Sequence, residues 1–210
     1  MTASRRTGIG LVLSLGAASA LTLFGPAPKA ELVTRLAGEV MWWSAVAALL
    51  LYIAFVERRP FASAGLRAPN RLDLAIAAGA GIVIAAGTAL VYMTLFPVFL
   101  LSLSLSHVAN LMHMPYWYLV VMVARQAVAE ELLFRGYVIE RVDELGHGRR
   151  SGAALSFVVY ATVHWSSWNP VETVATIFGG AMLTVLYLWR RNIFVNMIAR
   201  FIVLGVGYLV

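Results

Sequence analysis

Apolar residues run along this chain in long blocks rather than in the alternating stripes of soluble strands or the one-faced stripes of soluble helices. Arginine, proline or glycine interrupts them at intervals suited to a bilayer crossing. The pattern predicts seven membrane-spanning helices, at 8–24, 37–56, 72–96, 116–140, 152–168, 171–189 and 192–210. Between the third and fourth, the stretch 97–115 is apolar but bracketed by Pro97 and Pro115 and short for a crossing, which predicts an interfacial or re-entrant segment. Arg5 and Arg6 ahead of the first block resemble the start of a signal peptide. The following Gly25-Pro26-Ala27-Pro28 is a poor cleavage site, so the first span is expected to stay as an anchor.

Composition agrees with the block pattern: hydrophobic residues make up 61% of the 210 and charged ones only 12%, more apolar material than a soluble core requires. The fold class expected is all-α, a polytopic transmembrane helical bundle. A net charge of +6 would suit nucleic acid if the basic residues were scattered. They sit instead at span ends, which makes membrane lipid the expected partner and excludes nucleic acid. A cytoplasmic N-terminus places Arg5, Arg6, Arg58, Arg59, Arg67, Arg71, Arg141, Arg149, Arg150, Arg190 and Arg191 inside, against Lys29 and Arg35 outside. The chain is therefore expected to be a multi-pass protein of the plasma membrane. Absence of cysteine removes disulfides, thiol catalysis and thiolate metal sites. With no repeat or linker to divide it, 1–210 reads as one membrane domain, with accessory spans and the interfacial segment in 1–115 and a core in 116–210.

The fourth span breaks the apolar pattern with Arg125, Gln126, Glu130, Glu131 and Arg135. Ionisable groups at that depth are costly, and a span that carries them is a functional candidate by default. Successive residues on an α-helix differ by about 100°, while residues four apart stack nearly one above the other. Glu131 is thus expected to pair with Arg135, leaving Glu130 unpaired and facing elsewhere, suited to general base or acid work. At about 1.5 Å per residue, Glu130, His164 and Arg200 fall at similar depths in their spans and are expected to meet. His107, His113 and His147 fall in connections and receive no role.

The run Glu130-Glu131-Leu132-Leu133-Phe134-Arg135 resembles the EExxxR motif of the CAAX protease and bacteriocin-processing family of membrane glutamate peptidases, which includes eukaryotic type II CAAX prenyl endopeptidases and bacterial immunity proteins. Tyr160 and His164 resemble its second motif, an aromatic residue four before a His. The stretch from Gly179-Gly180 to Ile193 is similar to the family's approach to its last core helix, so the resemblance covers about 116–210. It implies that Glu130 and His164 activate water, with Glu131 and Arg135 as a structural pair.

The family's last motif, a His followed four residues later by Asn or Asp, is replaced by Arg200 and Leu204. In the family that pair is thought to stabilise the oxyanion. Arg200 retains hydrogen-bond donors for such a role, or for an ion pair; Leu204 does not, and Asn196, one turn earlier, is a candidate substitute for the missing amide. The function expected is a membrane-embedded endopeptidase, CAAX prenyl protease-like, acting on a peptide or membrane-protein substrate. The alternatives are an impaired family member serving as a scaffold or immunity-type partner, and a small transporter. No cofactor is expected. A zinc-dependent version would use Glu130 and His164 as ligands but lacks an evident third, so metal-free activation of water is favoured.

Overall fold

The computed structural model describes residues 3–27, 30–98, 111, 113–165 and 170–209. Among them are seven long helices and no strand. They are α1 (Ala3–Leu23), α2 (Leu32–Glu57), α3 (Arg71–Val98), α4 (116–142), α5 (Arg149–Trp165), α6 (Pro170–Arg190) and α7 (Ile193–Tyr208). Each expected span has its helix. The segment expected to be interfacial falls largely on 99–110 and 112, outside the described residues.

Four helices, at Ser4–Leu23, Leu32–Glu57, Arg71–Leu95 and Pro170–Arg190, are long and apolar enough to cross a membrane. Helices α5 and α7, of 17 and 16 residues, fall short on length, and these two with the charge-bearing α4 carry the polar residues of the interior. Glu130, Glu131, Arg135, His164, Asn196 and Arg200 are all buried. Helix α3 lies along α6 and α7, α5 packs on α6 and on α4, and α1 and α2 close the opposite flank against α4. The main core gathers Leu132, Leu133, Phe134 and Tyr137 of α4 with Tyr160, Val163, Tyr187 and Ile193. The paired N-terminal helices are attached through polar contacts as well: the Ser14 hydroxyl of α1 donates to the Leu133 carbonyl at 2.7 Å.

At one end of the bundle the arginines that close the apolar blocks are cross-linked to carboxylates of neighbouring helices. Arg141 binds Glu57 at 2.6 Å, Arg190 binds Asp73 at 2.5 Å, and Arg191 binds Glu140 at 2.5 Å. Arg59 pairs with Glu144. Glu57 also accepts from the Tyr137 hydroxyl at 2.8 Å, so this buried carboxylate ties the end of α2 to α4. Arg58, the residue at which α2 ends, takes a left-handed conformation (φ 57°) that turns the chain out of the helix.

Candidate functional site

The two glutamates lie in a wide-coiled part of α4, Gln126–Gly136, where backbone N–H groups bond five residues back, as Tyr137 N–H does to the Leu132 carbonyl. Such π-helical turns are rare and frequent at functional sites. Glu131 and Arg135 stand one turn apart and pair at 2.8 Å, as their spacing predicts. Arg135 is held further by the Thr184 hydroxyl at 3.2 Å and the Gly180 carbonyl at 3.1 Å, with its guanidinium 4.6 Å from the centre of the Tyr160 ring. Gly180 makes this packing feasible: a Cβ there would stand 2.5 Å from the Tyr160 ring and 3.3 Å from the Arg135 guanidinium.

Glu130 departs from the expected arrangement. It is not left unpaired: Arg200 donates to its Oε2, and Arg125 lies 3.4 Å from its Oε1. Arg200 also donates to Glu131 Oε1 at 2.9 Å. Adjacent glutamates that point in different directions along an α-helix are thus both within reach of one guanidinium. The wide coil alters their relative rotation, and the planar fork of Arg200 spans the gap with two nitrogens.

His164 Nδ1 lies 2.8 Å from the Tyr160 carbonyl one turn earlier. A carbonyl only accepts, so Nδ1 carries hydrogen, and in the neutral ring Nε2 is then the acceptor nitrogen. Nε2 lies 3.9 Å from Glu130 Oε2, beyond a direct hydrogen bond and within the span of two acceptors sharing one water. The His164 ring is 4.2 Å from that of Tyr160, and Tyr160 meets Phe134 edge to face at 5.4 Å.

Asn196 donates to Glu131 Oε2 at 3.1 Å and to the Leu183 carbonyl at 2.6 Å. Its amide hydrogens are thus committed to Glu131 and the Leu183 carbonyl, which leaves none for the oxyanion role foreseen as a substitute. The terminal nitrogens of Arg200 are likewise committed to the glutamates, while its buried Nε has no partner among the described residues.

Two cavities flank the cluster. One, of about 470 Å³, is lined by Glu130, His164, Arg125, Gln126, Glu39 and Arg35 together with the α1–α2 connection. The other, of about 510 Å³, lies among α3, α6 and α7 and is mostly apolar, with Arg200, Tyr160 and Leu204 on its wall. Gln126 lines both. The expected residues Glu130, Glu131, Arg135, His164, Asn196 and Arg200 thus come together at one place.

A contributor that sequence reasoning passed over is Glu39 of α2. It binds Arg125 Nε at 3.1 and 3.3 Å through its two oxygens. The signal was an acidic residue inside an expected span, the same criterion that drew attention to Glu130. Among the described residues no group of three or more His, Cys, Asp or Glu side chains is placed to hold a metal ion. Glu130 and His164 make two donors, and a guanidinium sits on the glutamate oxygen nearer the histidine.

No curated protein and no solved structure shows significant similarity to the chain. Residues 112–205, which contain every residue of the cluster except Glu39, match the family model described as type II CAAX prenyl endopeptidase Rce1-like, and the C-terminal half of this membrane protein is thereby an Rce1-like domain.

Proposed function

We propose that the protein is a membrane-embedded endopeptidase in which Glu130 and His164 activate water. The observation that carries this reading is the pair of facing acceptors, Glu130 Oε2 and His164 Nε2, 3.9 Å apart on the wall of the polar cavity. A water between them donates one hydrogen to each, leaving its oxygen lone pairs for a peptide carbonyl. On attack the new C–O bond forms, the water's proton passes to the carboxylate, and the carbonyl oxygen becomes the oxyanion. Breakage of the C–N bond then returns that proton to the leaving amine. Glu131 with Arg135 and Asn196 holds the wide coil in place. Arg200 Nε–H is the donor left for the oxyanion, aided by a charge that guanidinium never loses.

The substrate class this implies is a peptide or membrane protein whose scissile bond reaches bilayer depth. The arginine distribution favours a cytoplasmic N-terminus, and the membrane we assign is the plasma membrane. Lipid is the surrounding partner, and 1–210 works as one membrane domain. Purified full-length protein in detergent, presented with a quenched-fluorescent peptide library, tests the reading. Cleavage by wild type and none by Glu130→Gln or His164→Ala supports it; equal signals from all three would discard it.

One observation favours a second reading. Arg200 donates to the very oxygen that would take the proton, as it would in a family member retained as a membrane scaffold with a neutralised site. Absence of cleavage by folded wild-type protein would select this alternative.

A further inference from the structure

The Glu39–Arg125–Glu130 chain joins the N-terminal helices to the cluster. Arg125 is shared unequally. Its Nε contacts both Glu39 oxygens at 3.1 and 3.3 Å, whereas its NH1 reaches Glu130 Oε1 only at 3.4 Å. The Trp42 ring, one turn along α2 from Glu39, lies 5.0 Å from the guanidinium and fixes the same placement by cation–π attraction. Glu39 and Trp42 are both buried, and the Arg125 side chain is 11% exposed. Both lie outside 112–205.

We infer that Glu39 is a positioning residue for Glu130, holding Arg125 back so that Glu130 is not clamped on both carboxylate oxygens. Arg200 already occupies Oε2. Without a charge at position 39, Arg125 keeps a single carboxylate partner, and attraction between opposite charges at low dielectric draws it onto Oε1. The present 3.4 Å contact of Arg125 with Oε1 would tighten, and Glu130, gripped closely by both guanidiniums, would compete poorly for the water's proton. Geometry errors of about 1 Å at such sites cost on the order of 10²-fold in rate. The kinetic consequence rests on the peptidase reading above; the mechanical coupling of Glu39 to Glu130 does not.

The test therefore has two arms, both on full-length protein in detergent. In the first, melting temperatures are measured for Glu39→Gln, Glu130→Gln and the double variant, with native Arg125 and again with Arg125→Gln. Glu39 and Glu130 are joined by Arg125, so the double variant should depart from the sum of the single shifts by about 2 °C or more, and the departure should vanish once Arg125 is gone. Additive shifts with native Arg125 overturn the inference whether or not any peptide is cleaved. So does coupling that persists without Arg125.

In the second arm, on the best-cleaved library peptide, Glu39→Gln should lower kcat by about 10- to 100-fold with KM nearly unchanged. Glu39→Asp should keep most of the rate, and adding Arg125→Gln to Glu39→Gln should recover part of it. An unchanged kcat in Glu39→Gln, or a loss that neither Glu39→Asp nor Arg125→Gln relieves, overturns the positioning role. Coupling in the first arm with a wild type that cleaves nothing supports the link and overturns only the peptidase reading.

Discussion

Arg200 and Glu130, seventy residues apart in sequence, form an ion pair in the middle of the cluster, and the same guanidinium reaches Glu131. An arginine in this place does what a histidine cannot: it carries a permanent charge and donates through separate terminal nitrogens to both glutamates at once. Neither glutamate can be altered without changing the balance around the other.

Glu131 is the more heavily used of the two, accepting from Arg135, Arg200 and Asn196. Glu131→Ala leaves Arg135, buried on all sides, without its carboxylate, and removal of one partner of a buried pair costs about 3–5 kcal/mol. Melting in detergent should show a drop for Glu131→Ala well beyond that for Glu130→Gln. Glu130→Gln should abolish cleavage with the fold retained. The opposite ranking would exchange the two roles.

Gly180 supplies a second stability test. A methyl group there meets the Tyr160 ring at 2.5 Å, too close for any real contact, and the ring is pinned between Gly180, Phe134 and the two guanidiniums. Gly180→Ala should destabilise by about 1–3 kcal/mol, as overpacking in a filled core does, despite alanine's better helix propensity. A stabilised variant would mean that Tyr160 has room to move.

The seven helices were legible because the apolar blocks are long and their ends are marked by arginine, and residues four apart along α4 announced the Glu131–Arg135 pair. The convergence of Glu130, His164 and Arg200 could be read from depth alone. What the chain did not disclose is the wide coil at Gln126–Gly136, which has no distinct hydrophobic period and changes which way Glu130 points. Nor did it disclose Glu39 as the partner of Arg125, because pairing across helices depends on their rotation about their own axes. The notion of an unpaired Glu130 failed for that reason: counting partners one turn along a regular helix registers neither the Arg200 guanidinium brought by α7 nor Arg125, five residues back on α4.

The arginine cross-links at the far end of the bundle predict a large structural effect remote from the cluster. Arg141 is completely buried and binds Glu57 at 2.6 Å, and its other nitrogen donates to the Ser63 carbonyl at 3.0 Å. Arg141→Gln keeps some hydrogen bonding but leaves the Glu57 carboxylate without its cation, and should cost about 3–5 kcal/mol. Pairing it with Glu57→Gln should recover part of the loss, because neither side chain then carries an uncompensated charge. A double variant that melts no higher than Arg141→Gln would mean that Glu57 is neutralised by another group.

The altered last motif decides between enzyme and scaffold, and the reverse substitutions test it directly. Leu204 lies one turn beyond Arg200, and both line the apolar cavity. Arg200→His removes the guanidinium from Glu130 Oε2, and Leu204→Asn adds a side-chain amide donor on the same wall. If the chain lacks only the oxyanion donor that Leu204 cannot supply, the double variant should raise cleavage by about 10²-fold or more, the usual worth of one such donor. Arg200→His by itself should raise it less, because it frees Glu130 but exchanges the Nε–H donor for an imidazole N–H without restoring the amide. The cost falls on stability: Glu130 and Glu131 both lose a cation, so the double variant should melt lower than wild type even while it works faster. Melting and cleavage measured on the same preparation separate the outcomes. A folded double variant with no gain in cleavage would show that the site has lost more than its oxyanion donors, and that the Arg200–Glu130 pair serves the architecture of the bundle.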